Sequence, residues 1–220
     1  MRIETDRLIL RNYKMTDLQA YIKLMTQEKV ANRAGFNLKS NERLLRELKG
    51  ETENDFKFAI VLKETGVVIG EIGFNWLTTT TRESLFEISK DENVREIEFC
   101  LSEECWGQGY MTEALEALVK VGFEKLSLDT IVGASFSKNF ASKKVQIKCG
   151  LIPYKTDKNY VWRETGESCK AVLLKITKEQ YKHIERYKKL KINVSDESSY
   201  DKNIEDIKKL IESSSDTRTL

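Results

Sequence analysis

The chain has 220 residues, 40% of them hydrophobic, and its 37 basic and 35 acidic side chains leave a formal net charge of +2. A chain of this size can bury about 70% of its unfolded surface and needs no covalent staples, while its near-neutrality provides no general field for drawing in nucleic acid. No charged-then-apolar leader opens it, no apolar run approaches the roughly 18 residues of a membrane span, and its four cysteines (100, 105, 149 and 169) show no C-x-x-C spacing, so a cytoplasmic protein with reduced thiols is expected.

Residues 2–13 read as a strand, after which Thr16 is placed to cap a helix whose apolar side carries Leu18, Tyr21, Ile22 and Met25. A polar stretch follows, then a second helix near residues 41–48. Residues 56–62 and 67–76 flank Lys63-Glu-Thr-Gly66 and read as a hairpin with its glycine at the turn. Residues 77–94 form a long, mainly polar connection interrupted only by Leu85, Phe86 and Ile88, and such connections are often functional or mobile. Residues 96–101 alternate like a strand, sending Glu96, Glu98 and Cys100 to one face and Ile97, Phe99 and Leu101 to the other. Two carboxylates on a central strand imply a wetted cleft rather than packed core.

Residues 106–113, Trp-Gly-Gln-Gly-Tyr-Met-Thr-Glu, join that strand to a helix in which Ala114, Leu115, Leu118, Val119, Gly122, Phe123 and Leu126 recur at helical spacing. The first amides of a helix lack internal partners and carry the positive end of its dipole, so such a turn is the build of a diphosphate cradle. On the helix, Glu113, Glu116, Lys120 and Glu124 read as a solvated charged stripe, with Glu116 and Lys120 spaced for an ion pair. A strand over 129–136 follows. Asn139-Phe-Ala-Ser142 then opens a second helix that stops at Gly150-Leu151, and Asn139 and Ser142 can cap it. Two strands, residues 152–163 and 168–176, are joined at Thr165-Gly166, and the main domain is expected to end after the second of them. Thr177-Lys-Glu-Gln180 reads as a capping box opening a helix to about residue 190. Tyr200, Ile204, Ile207 and Ile211 mark a further amphipathic helix, whose stripe packs on its own domain, joins a homodimer or walls a substrate site; residues 213–220 have too little apolar surface to fold.

The stretch from Trp106 to Ala114 (W-G-x-G-Y-x-T-E-A), together with Asn139, Ser142, Gly150 and Leu151 (N-x-x-S-x7-G-L), resembles the GNAT N-acetyltransferase superfamily and its RimJ/RimL-like branch. Glu4 to Arg11 looks like that branch's first strand, and the resemblance covers roughly residues 2–182. It implies an α/β (α+β) fold with a mixed, mostly antiparallel twisted sheet, splayed at the coenzyme A site and flanked by helices. Residues 1–177 would be the acetyltransferase domain and 178–220 a C-terminal helical extension. Acetyl-CoA is the implied co-substrate, with no metal, and the acceptor is a primary amine of a small molecule or a protein N-terminus; no nucleic acid or membrane partner is expected.

The resemblance implies coenzyme A contacts at Leu101, Trp106, Gly107, Gln108, Gly109, Tyr110, Met111, Thr112, Asn139, Ser142 and Lys144. Among catalytic candidates it puts Glu96 first as the base, with Glu98 second. It places Ser142 near the sulfur as the candidate acid, since the slot four residues before Gly150, which many relatives fill with a tyrosine acid, here holds Gln146, which cannot donate an acidic proton. Water is the alternative acid. Met111 also departs from the broad pattern, and would either narrow the room beside the pyrophosphate or bury itself under the helix. The competing reading is a non-catalytic acyl-CoA-binding sensor on the same fold. Other chemistries lack their parts: His183 is the sole histidine and reads as a surface residue, and neither the Walker nor the dinucleotide glycine pattern is present. The basic cluster within residues 178–191 reads as a solvated helix.

Overall fold

The computed structural model describes residues 1–161 and 166–184, together with Glu205 and Lys209. The opening segment is two strands rather than one, β1 (Arg2–Glu4) and β2 (Leu8–Arg11). Thr5 turns the chain back: its amide donates to the Leu8 carbonyl and its hydroxyl accepts from the Leu8 amide, both at 3.0 Å. Three short helices follow, α1 (Leu18–Met25), α2 (Glu28–Ala34) and α3 (Asn41–Glu51). Thr16 does not cap α1 but lies inside a single 3₁₀ turn; the N-cap position is Asp17, which makes no side-chain bond to α1, its carboxylate accepting instead the Lys14 amide at the start of that turn at 2.8 Å. The polar stretch between the expected helices contains α2, which ends at Gly35 with a left-handed φ of 75°.

Next come β3 (Lys57–Leu62), β4 (Val68–Asn75), β5 (Val94–Leu101), α4 (Tyr110–Glu124), β6 (Thr130–Phe136), α5 (Phe140–Lys148), β7 (Ile152–Val161), β8 (Ser168–Thr177) and α6 (Lys178–Lys182). They build an eight-stranded sheet in the order β1-β2-β3-β4-β5-β6-β8-β7. Every neighbouring pair is antiparallel except β5 and β6. That one parallel pair is brief, running only from Val94↔Thr130 to Glu96↔Val132, after which the strands diverge. From Ile97 onward the β6-facing edge of β5 therefore has no ladder partner.

One face of the sheet packs on α4 and α5 through Ile72, Phe74, Ile97, Leu101, Leu115, Leu118, Ile131 and Leu174. The opposite face is covered in two separate pieces. Helices α1 to α3 lie over β2 to β4 around Tyr21, Leu44, Leu48 and Ala59. The connection 77–94 lies over β6, β7 and β8, with Leu77, Phe86 and Ile88 packed on Val132, Tyr160 and Leu173. That connection is folded rather than open: its three apolar interruptions are anchors, and the Tyr154 hydroxyl donates to the Phe86 carbonyl at 3.1 Å. Between the two covers the middle of β5 is left bare, which sets the position of the cleft.

The capping box at Thr177 and Gln180 is present and opens α6. Tyr181 on α6 stacks on Phe123 of α4, with ring centroids 4.8 Å apart, and donates to Glu124 at 2.8 Å. The rest of the expected helix to about residue 190, the stripe Tyr200, Ile204, Ile207 and Ile211, and the tail 213–220 lie outside the described residues. All four cysteines are thiols, Cys100 and Cys149 buried.

Candidate active site

A cavity of about 870 Å³ runs through the splay. Its walls include Glu96 to Leu101 of β5, the turn before α4, the outer part of β6, one face of α5, and parts of α1, α2 and α3. Of the residues singled out in the sequence, Glu96, Glu98, Leu101, Trp106, Gly107, Gly109, Tyr110, Met111, Thr112, Asn139, Ser142 and Lys144 all line it. The side chain of Gln108 turns back instead, donating to the Glu104 carbonyl at 2.9 Å.

The turn is shaped by its glycines. Gly107 and Gly109 have φ of 76° and 83°, in the region that costs an L side chain about 1–2 kcal/mol. Gly109 is the N-cap of α4 and no side chain bonds across it. The amides at the start of the helix are thus available to an anion. Glu113 braces this turn and is not part of a solvated stripe: its carboxylate accepts from the Arg7 amide at 2.8 Å, Arg7 Nε at 2.7 Å and the Thr5 hydroxyl at 2.6 Å. Burial opposes its charge, but those bonds prevail and hold its carboxyl below the usual range. The same Arg7 donates to the Gln108 carbonyl at 3.0 Å, so the β1–β2 corner locks the cradle from outside.

Trp106 forms the adjoining wall. Its indole N–H donates to the Leu101 carbonyl at 2.7 Å and its ring carries the Arg33 guanidinium 3.9 Å above it. Asn139 caps α5 by accepting the Ser142 amide at 3.1 Å, and its Nδ2 donates to the Arg33 carbonyl at 3.0 Å, tying α2 to α5 across the cleft. Ser142 does not share the capping; its hydroxyl oxygen accepts from Gln146 Nε2 at 3.2 Å. Met111 is 7% exposed and belongs to the main core, with one edge on the cavity wall. Lys144 and Lys148, one turn apart on α5, put two cations on this side.

The other end of the cavity is acidic. The register sets Glu71 opposite Cys100, Gly73 opposite Glu98 and Asn75 opposite Glu96, so these side chains share the face covered by α1 and α3. Glu96 is 7% exposed, and the Tyr160 hydroxyl donates to its Oε1 at 3.4 Å. Glu98 accepts from Asn75 Nδ2 at 2.6 Å and pairs with Lys57 at 3.1 Å. Lys57 also reaches Glu51 at 3.0 Å and Glu71 at 3.7 Å, and the Tyr13 hydroxyl donates to Glu71 at 3.2 Å. Burial works against the Lys57 ammonium, but Glu71, Glu98 and Glu51 outweigh it and hold its pKa far above the lysine range. Burial pushes the Glu71 carboxyl up to about 7, Glu98 and Glu51 adding to the effect and Lys57 opposing it.

Sequence reasoning missed Lys57, Glu71, Glu51 and Tyr160. Glu71 had a signal, as a lone charge in the apolar run 68–75 of a strand with both faces covered. Lys57, Glu51 and Tyr160 carry none, because only the sheet register and the α3 docking bring them to the cleft. Among the described residues no group of His, Cys, Asp and Glu side chains is placed to hold a metal, and no helix is long and apolar enough to cross a membrane.

The Acetyltransferase (GNAT) domain family matches residues 7–152, about two thirds of the chain, including the turn, the splay and α5. The chain belongs to the GNAT acetyltransferase family. As a member it is an N-acetyltransferase. It is 27% identical over 155 residues to the uncharacterized N-acetyltransferase YoaA of Bacillus subtilis (strain 168), covering 68% of this chain and 81% of the relative. It is 28% identical over 148 residues to the uncharacterized N-acetyltransferase p20 of Bacillus licheniformis, covering 64% and 76%. Among solved structures, a GNAT-family acetyltransferase from Bacillus anthracis superposes with a TM-score of 0.70 at 20% identity, covering 81% of this chain and 99% of that one. A ribosomal-protein-S5-alanine acetyltransferase from Vibrio fischeri gives 0.62 at 18%, covering 81% and 97%. At those identities the structures speak for the fold, and the mixed splayed sheet expected from the sequence is the fold they share.

Proposed function

We propose that this GNAT protein is a cytoplasmic enzyme that transfers the acetyl group of acetyl-CoA directly to a primary amine, on a small molecule or a protein N-terminus, inside the splay between β5 and β6. The observation that carries this reading is the polarity of one continuous cavity, which joins an anion cradle at Gly107–Gly109 to a carboxylate-lined floor at Glu96, Glu98 and Glu71.

The residues present suit coenzyme A. The amides of the α4 start would hold its diphosphate, with Arg33, Lys144 and Lys148 as counter-charges. The unladdered edge of β5 beyond Glu96 offers backbone groups to an amide-bearing extended arm, the way a sheet edge takes an added strand. Bound there, acetyl-CoA supplies an activated acyl carbon. The acceptor enters from the face between α3 and the 77–94 connection. An amine is protonated in water at neutral pH and cannot attack in that form, so the carboxylates first attract it as a cation. Glu96 then accepts its proton, directly or through water, and the nitrogen lone pair is released next to the acyl carbon. Holding the two reactants in line contributes several kcal/mol of barrier lowering by itself.

The test is release of thiol from acetyl-CoA across a panel of primary amines, with Glu96→Gln as the probe. The variant keeps the shape and loses the proton acceptor. Turnover at neutral pH should fall about 10²-fold with coenzyme A affinity unchanged, and raising the pH should restore part of it as more amine becomes neutral. The same phenotype in Glu98→Gln instead would move the base to Glu98. Tight coenzyme A binding with no amine-dependent release would leave a sensor, and would end the catalytic reading.

A further inference from the structure

Where β5 and β6 part, an amide takes the place of an apolar side chain. The last parallel pair is Glu96↔Val132, so Ile97 and Gly133 are the first residues beyond it. A Cβ on Gly133 would lie 2.3 Å from Gln146 Oε1 and 3.1 Å from Ile97 Cγ1. The carboxamide of Gln146 therefore fills the space that the missing side chain leaves, at the vertex of the splay. Gln146 is 1% exposed, and its Oε1 is buried with no hydrogen-bond partner. Leaving a carbonyl unpaired is a cost that leucine or methionine of similar volume would avoid. What the amide obtains for that cost is the bond from Nε2 to the Ser142 hydroxyl, at 3.2 Å.

We propose that Gln146 is a positioning residue, holding the Ser142 hydroxyl so that its hydrogen points into the cleft at the sulfur of the departing coenzyme A. The geometry constrains Ser142 twice. Its backbone amide is tied to Asn139 Oδ1 and its oxygen accepts from Gln146, so the remaining freedom, the direction of the O–H bond, leads away from Gln146 toward the cavity that Ser142 lines. As the amine nitrogen bonds to the acyl carbon, the C–S electron pair moves onto sulfur, and Ser142 donates a hydrogen bond to it without surrendering its proton. Full transfer would run uphill, since a thiol is far more acidic than an aliphatic hydroxyl. The amine's proton goes to the carboxylate floor, and solvent protonates the thiolate on release.

This inference rests on the acetyl-transfer reading, and the test separates the two. Coenzyme A and desulfo-coenzyme A are titrated by calorimetry at pH 7 and pH 9 into the wild type, Ser142→Ala, Gln146→Met, Gln146→Glu and the Ser142→Ala/Gln146→Met double variant. Thermal melts confirm that each protein is folded. The sulfur-free analogue cancels every titration except that of the thiol, which is protonated at pH 7 and more ionised at pH 9. A hydrogen bond to a charged sulfur should raise the wild-type preference for coenzyme A over the analogue by about tenfold between the two pH values.

Ser142→Ala and Gln146→Met should each lose most of that gain, and the double variant should lose no more than Ser142→Ala alone. Gln146→Glu, which has nearly the same shape, should lose it too, because its carboxylate would take the hydroxyl hydrogen for itself. A wild-type preference retained in Gln146→Met and Gln146→Glu would overturn the proposal. Binding of both ligands by the wild type with equal pH dependence would sink this role alone. Binding of neither would sink the acetyl-transfer reading beneath it.

Discussion

Gly133→Ala isolates the contact at the splay vertex, because its two possible effects have opposite signs. Gly133 has no positive φ, so alanine is conformationally allowed there. An allowed Gly→Ala change stabilises by about 0.4–1 kcal/mol, through the reduced entropy of the unfolded chain. Against this stands the added methyl, placed 2.3 Å from Gln146 Oε1 and 3.1 Å from Ile97 Cγ1. The first distance is one that real contacts do not tolerate. Gln146 is only 1% exposed and cannot swing into solvent, so the clash is relieved by repacking that costs about 1–3 kcal/mol. The net is a destabilisation of about 0.5–2 kcal/mol, or a fall in melting temperature of roughly 1–8 °C for a domain of this size. Without the clash, the same change should raise the melting temperature by about 1–4 °C. The assay is a thermal melt of four proteins forming a double-mutant cycle: wild type, Gly133→Ala, Gln146→Ala and the double variant. In the Gln146→Ala background the methyl has room, and Gly133→Ala should be neutral or stabilising there. A rise in melting temperature for the single variant, or the same fall in both backgrounds, would refute the placement of Gln146 over Gly133.

Gly109→Val should weaken coenzyme A binding in a folded protein, because φ of 83° is disfavoured for a β-branched residue while the nearest neighbour of its Cβ, Arg7 Nη2, sits at an ordinary 3.4 Å; calorimetric titration with unchanged affinity would remove the turn from the site. For Glu71 the folded pKa, about 7, lies above the roughly 4.3 of an ordinary glutamate, so its contribution to stability is fully present at low pH and is lost as pH rises through about 7. Glu71→Gln should therefore gain stability relative to the wild type between pH 5 and pH 8, and a constant difference in melting temperature across that range would show that Glu71 stays ionised. Tyr181→Ala should lower the melting temperature by a few degrees, since it removes the stack on Phe123 and the bond to Glu124, together worth about 1–2 kcal/mol; an unchanged melt would make residue 177 the effective end of the packed domain.

The local motifs were legible in the sequence because each is decided within a few residues. Gly107 and Gly109 announce positive φ, Asn139 sits where a side-chain oxygen meets the amide three residues on, and the alternation of 96–101 fixes which side chains share a face whatever the strand pairs with. The capping box at Thr177 and Gln180 belongs to the same class. The split of residues 2–11 into two strands was not legible, since both halves have strand character and only the Thr5 turn, closed onto Leu8, separates them. Nor was the role of Glu113: helical spacing places it on the charged side of α4, and only the docking of the β1–β2 corner covers it. The polar look of 77–94 misled because three apolar residues suffice to anchor a long segment once a sheet face is there to receive them. Glu51, Lys57, Glu71 and Glu98 come from one helix and three strands, and no spacing along the chain encodes their meeting, which follows from antiparallel register. The vertex contact between Gln146 and Gly133 is of the same kind. Sequence determines what a residue can do locally, through φ, capping and periodicity; which charges share a low-dielectric cleft is decided by strand register and helix docking, and their pKa values and pairings follow from that arrangement.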